Sequence, residues 1–219
     1  MNYTKQVREY CGKHSKGLID ISVVRNTVFA DIPYKTLLKI FNRLEEEGIV
    51  KTVSKGVYSI GKRKIDERKI LSDYTSNGKG MIVGYTLFNK IGLTLYQDER
   101  IVIYTNVITT KQKSIGNLLL KKVDLIFTDE IIDLVSLLEI LDIGFSIRGG
   151  DYLTYRNVVE LLAKTYTDDN FKQVIGAIRY KYSTIVKLNE LLNRLNINNF
   201  CLDLYQQLLN VNQRKEYTL

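Results

Sequence analysis

At 219 residues, 45% hydrophobic and 26% charged, the chain has ordinary globular composition and the length for one large or two small domains with a proper core. Its first residues, MNYTKQVREYCGKH, contain no signal-peptide run, and no stretch approaches the ~18 uninterrupted apolar residues of a membrane span, so a soluble cytoplasmic protein with no membrane partner is expected. The net charge of +8 is concentrated: residues 1–64 hold 13 basic against 6 acidic side chains, a net +7, and the remaining 19 against 18 are nearly balanced.

That imbalance is what phosphate neutralisation by the N-terminal segment would require. Tyr3 to Lys13 reads as a first helix, with Val7, Tyr10 and Cys11 at helical spacing. Cys11 and Cys201 are too few and too far apart for a disulfide framework or a zinc site, and His14 is the only histidine. Structural or surface roles are expected for all three, with no metal or cofactor. Leu18 and Ile19 fit a short strand, and Asp20 fits the cap of a helix from Ile21 to about Thr27. Val28 to Asp31 would then be a turn.

Pro33 suits the first turn of the next helix, where its missing N–H costs nothing, and Gly48 suits its left-handed stop. Between them Leu37, Leu38, Phe41 and Leu44 share one face with Ile40 at its edge, while Lys35, Lys39, Asn42 and Arg43 fall outside it. After Gly48 the period changes. Ile49 to Val53 and Val57 to Ile60 alternate as strands, joined by Ser54, Lys55 and Gly56 as a hairpin turn. Helix, turn, helix with a polar outer face and basic hairpin is the order of a winged helix-turn-helix, whose second helix enters the DNA major groove. Arg25 and Asn26 sit where the first of those helices crosses phosphate. Glu45 to Glu47 close the second helix with acid, which leaves only its N-terminal half for close approach to DNA.

Lys62, Arg63 and Lys64 are either a solvated linker or a stretch lying along phosphate, and Ile65 to Tyr74 reads as a helix. The loop Ser76 to Gly80 has two glycines but lacks the Gly-Lys-Ser or Gly-Lys-Thr ending of a Walker loop, which excludes that nucleotide site. Beyond it come MIVG as a strand or helix entry, a helix at Tyr85 to Ile91, and strands at Arg100 to Asn106 and Asn117 to Lys122. Thr128 fits the cap of an apolar helix, Asp129 to Leu141. Three or four amphipathic helices follow, near Leu153–Lys164, Asp169–Tyr180, Thr184–Leu195 and Asn199–Leu209, packing on the preceding domain or on a partner. Lys121 and Lys122, a basic pair at a strand end, are either solvated or a secondary DNA contact.

Enzyme chemistry is disfavoured by the lack of a convergent polar set. The acidic doublets Asp129-Glu130 and Asp168-Asp169 read as helix-start residues favoured by the helix dipole. The 15 tyrosines would suit base stacking on single-stranded RNA, but they are scattered along the chain instead of gathered in one sheet motif.

The segment ending GVYSIGK, followed by GYTLFNKIGLTLYQDERIVIYTN, resembles the AbiEi family, the antitoxin half of bacterial type IV toxin-antitoxin (abortive infection) pairs. The resemblance covers roughly residues 1 to 145. It implies an α+β chain with a winged helix-turn-helix over residues 1–64 and an α/β antitoxin domain over 65–150; residues 151–219, a helical C-terminal region, carry no motif of the family. It further implies repression of the protein's own operon through inverted repeats in double-stranded promoter DNA, and a nucleotidyltransferase-like toxin as functional partner. Base reading would fall on Tyr34, Lys35, Thr36, Lys39 and Arg43, with Asn42 beside them. Lys51, Ser54, Lys55, Lys62, Arg63 and Lys64 would meet the backbone. A winged-helix regulator with no toxin fits the same residues.

Overall fold

A computed structural model describes residues 2–14, 17–60 and 67–216 of the chain. Lys62, Arg63, Lys64 and the predicted helix start at Ile65 lie outside the described residues. The fold is α+β, with two small sheets.

Helix α1 (Tyr3–Lys13) starts where the Asn2 side chain accepts the Lys5 N–H at 3.2 Å, and it buries Val7 and Cys11. Strand β1 (Gly17–Asp20) passes into α2 (Ile21–Thr27) without a loop. Asp20 is both the last strand residue and the N-cap, its Oδ1 accepting the Ser22 N–H at 2.9 Å. Helix α3 (Tyr34–Glu46) leaves Pro33 just outside, as N-cap and not in the first turn, because its ψ of 137° is still extended while its carbonyl accepts from Thr36 and Leu37. Gly48 closes the helix at φ 71°, a conformation that costs glycine nothing. The buried stripe is turned towards α1 relative to the sequence expectation. Ile40 is 4% exposed and belongs to the same core as Val7 and Cys11, whereas Leu38 is only half-buried.

Strands β2 (Val50–Ser54) and β3 (Val57–Ile60) form the expected hairpin, and β1 pairs with the other side of β3 to give the order β1-β3-β2. A bulge shifts the register between Thr52 and Ser54. Alternation fails in β3, where Val57, Tyr58 and Ser59 are all buried. As the middle strand it is covered on both faces: Tyr58 packs with α3, and Val57 packs against the second sheet.

After α4 (Glu67–Thr75), strands β4 (Gly80–Val83), β5 (Ile101–Thr105), β6 (Gln112–Ile115) and β7 (Leu118–Lys122) form that sheet in the order β4-β5-β7-β6, and helix α5 (Tyr85–Lys90) follows β4. Strands β5 and β7 are parallel; the outer pairs are antiparallel. A β-carbon at Gly80 would collide with the backbone carbonyls of Tyr104 and Tyr74, so only glycine lets α4 and β5 approach this closely. Helix α6 (Asp129–Ile143) is capped by Thr128 and lies at the centre of a helical layer with α7 (Tyr152–Ala163), α8 (Asp168–Ala177), α9 (Tyr182–Arg194) and α10 (Cys201–Glu216). Asp129-Glu130 and Asp168-Asp169 occupy the first turns of α6 and α8. Helices α7, α8 and α9 pack back on α6, α10 packs on α8 and α9, and one core runs from Met81 on β4 to Tyr205 on α10. The second sheet is therefore sandwiched. Val102 and Tyr104 face the α6 layer, while Ile103, Leu118 and Leu120 meet Val57, Ile70 and Tyr74 on the other side. No helix among the described residues is long and apolar enough to cross a membrane.

Candidate nucleic-acid interface

Burial of Leu37, Ile40, Phe41 and Leu44 forces the opposite side of α3 outward, and Tyr34, Lys35, Lys39, Asn42 and Arg43 are all exposed there, with Thr36 half-buried. The Tyr34 hydroxyl reaches the hairpin turn, 3.8 Å from where a β-carbon on Gly56 would stand. The start of α3 and the hairpin tip, where Lys55 is exposed, thus form one continuous surface. Asn42 is partly committed, since its side-chain oxygen accepts the Tyr58 hydroxyl at 3.0 Å.

The acidic end of α3 is held by the protein itself. Glu45 accepts the Thr52 N–H at 2.7 Å and the Thr52 hydroxyl at 2.8 Å, and these bonds hold its carboxyl below the usual range. Glu47 pairs with Arg8 of α1 at 2.8 Å, an exposed contact of small energetic weight that nevertheless occupies both charges. Lys35, Lys39 and Arg43 stand exposed along the rest of the helix, Arg43 in its last turn.

Other predicted contacts separate from this group. Arg25 and Asn26 are exposed at the end of α2. Lys51 lies on the strand face opposite Val50 and Thr52, hence away from α3, because neighbouring strand residues point to opposite faces. The half-buried Ser54 has its hydroxyl oxygen buried, with no hydrogen-bond partner among the described residues. Lys121 and Lys122 are both exposed at the end of β7; Lys121 lies 5.9 Å from the centre of the Tyr104 ring, and Lys122 pairs with Asp124 at 3.1 Å.

A junction that sequence reading missed lies behind the interface. Asp20 Oδ1 accepts the Lys113 ammonium at 2.8 Å and the Ser22 hydroxyl at 2.5 Å, while Oδ2 accepts the Tyr74 hydroxyl at 2.5 Å. The two charged side chains are only 5% and 14% exposed. One carboxylate thereby ties the start of α2 to α4 and to β6. The cap signal marked Asp20 in the sequence, but nothing local marked partners 54 and 93 residues away.

No family model matches this chain, and no curated protein matches it. Among solved structures it is similar to the RV2827C protein from Mycobacterium tuberculosis, with 12% identity, coverage of 96% of this chain and 81% of that one, and a TM-score of 0.38. Likeness at that level says nothing of what either protein binds.

Burial pushes the thiols of Cys11 and Cys201 up to about 11, so neither is a thiolate at neutral pH. Among the described residues no three histidine, cysteine or carboxylate side chains converge as metal ligands would. Glu139 of α6 accepts the hydroxyls of Tyr104 at 3.1 Å and Tyr180 at 3.2 Å. Burial raises its carboxyl above the usual range, against the opposing effect of those two donors. A raised carboxyl contributes stability below its unfolded-state pKa and loses it as pH climbs through the folded-state one. Glu139→Gln, which keeps an acceptor for the tyrosines, should therefore raise the melting temperature at pH 8, with the gain fading as pH falls to the ordinary carboxylate range. A gain independent of pH in thermal melts would mean that ionisation of Glu139 is not the cause.

Proposed function

We propose that the chain is a DNA-binding antitoxin and transcriptional autorepressor of a type IV toxin-antitoxin operon, counteracting a nucleotidyltransferase-like toxin. In this reading α1 to β3 are a winged helix-turn-helix. The first turns of α3 enter the major groove, the β2–β3 hairpin is the wing, and Arg25 and Asn26 face the backbone. The observation that carries the reading is the outer face of α3, where Lys35, Lys39 and Arg43 stand exposed beside the hairpin tip in the segment that holds nearly all the net charge. On the helical layer, exposed Phe145, Tyr152 and Leu153 offer an apolar surface for a protein partner. A gel shift with the DNA upstream of the gene is the direct test. Retardation of the duplex and not of RNA with the same sequence is expected; equal binding of RNA would move the assignment to single-stranded RNA.

A regulator without a toxin is the second reading, favoured by α7–α10, which bury much of their apolar surface in one core with α6. Co-expression with the neighbouring gene separates the two. Truncation is a poor tool, since Leu18, Val53 and Val57 of the first sheet share a core with Ile70 and Tyr74. The full chain carrying Lys35→Ala, Lys39→Ala and Arg43→Ala should lose promoter repression and still rescue growth beside the toxin. Loss of rescue together with repression would show that antitoxicity acts through DNA binding.

A further inference from the structure

The cations of α3 do not all face the same way. At 100° per residue, Lys35 lies opposite the buried stripe, whereas Thr36, Lys39 and Arg43 lie on the flank turned towards α1. There they form one wall of an open cleft whose other wall is Asn2, Tyr3 and Thr4, with Ile40 between. Lys39 and Arg43 are four residues apart, a spacing at which like charges on a helix repel. Among the described residues no carboxylate lies within ion-pair distance of either one. Glu47, the acid one turn beyond Arg43, is instead held by Arg8. The protein thus sets two cations with no ion-pair partner among the described residues along one wall, with Thr36 and Thr4 also lining the cleft, while Glu47 is taken by Arg8.

We infer that this cleft is a phosphate seat, in which Lys39 and Arg43 grip one phosphodiester of the DNA backbone between α1 and α3. Base reading is then left to Lys35 on the front of the helix. A guanidinium and an ammonium lining one cleft suit a tetrahedral anion, and such contacts fix register without carrying sequence information. The inference rests on the DNA-binding reading and changes the role of two of its residues. The same donors would also accept free inorganic phosphate.

The test uses the full chain labelled with 15N, titrated separately with a random-sequence duplex and with inorganic phosphate, following the Tyr3 and Thr4 amides. The duplex should shift both, Arg43→Gln should abolish the shifts, and Lys35→Ala should leave them. In affinity measurements Arg43→Gln should weaken upstream and random duplexes alike, by about tenfold, and lower the log–log salt slope by about 1. Lys35→Ala should instead reduce the preference for the upstream duplex. A loss of preference on Arg43→Gln with random-DNA affinity unchanged would show that Arg43 reads a base, and would overturn the assignment. Shifts with inorganic phosphate in a chain that binds no duplex would uphold the seat and remove the DNA. Silence of both amides with both ligands would remove the seat, whatever the chain's affinity for DNA.

Discussion

Asp20→Ala is expected to destabilise the protein by about 3–5 kcal/mol, because it leaves the Lys113 ammonium buried and unpaired. It also strips the Tyr74 hydroxyl of its acceptor and α2 of its cap, the latter worth about 1 kcal/mol on its own. For a chain of this size, roughly 2–4 °C per kcal/mol translates the loss into a fall in melting temperature of roughly 10 °C. The identity of the group left behind is the point. Asp20→Asn combined with Lys113→Met removes both charges, keeps an acceptor for Ser22, and should recover most of the loss, since a buried pair adds little over well-packed neutral groups. If Asp20→Ala melts within about 2 °C of the parent, Lys113 reaches solvent when its partner is gone, and the junction does not hold the two sheets together.

The junction also marks where sequence reading stopped. Helix positions were legible because their signals are local. Asp20, Thr128 and Gly48 mark their boundaries through hydrogen bonds or backbone angles confined to a few residues. Strand β6 escaped because QKSI is mostly polar. It is an edge strand whose Lys113 looks solvent-bound in sequence and is buried only by meeting Asp20. The continuous burial of Val57, Tyr58 and Ser59 had the same origin: a second sheet covers the face that a lone hairpin would leave wet. For the interface, helical spacing told which α3 residues point outward, but not that the Asn42 oxygen is taken by Tyr58 or that α1 walls in Lys39 and Arg43. Those facts depend on neighbours from other elements, which periodicity along one helix does not encode.

The largest functional effect expected is that of salt. If about six cations per chain meet phosphate, the log–log slope of affinity against salt should be near −5, and raising salt from about 50 to 200 mM should weaken binding about a thousandfold. Arg25, Lys39, Arg43 and Lys55 are exposed around α2, α3 and the hairpin tip and supply most of that number. Lys51 is set apart by its place on the far strand face. Lys51→Ala is therefore an internal control, a lost lysine of equal formal charge that should leave the slope unaltered. Lys39→Ala should make it less steep by about 1. Fluorescence anisotropy with a labelled duplex across a salt series gives both numbers from one plate. A nearly flat slope in the parent protein would remove the electrostatic basis for DNA binding. A slope that responds equally to Lys51 and Lys39 would mean that overall charge, and not the face of α3, attracts the nucleic acid.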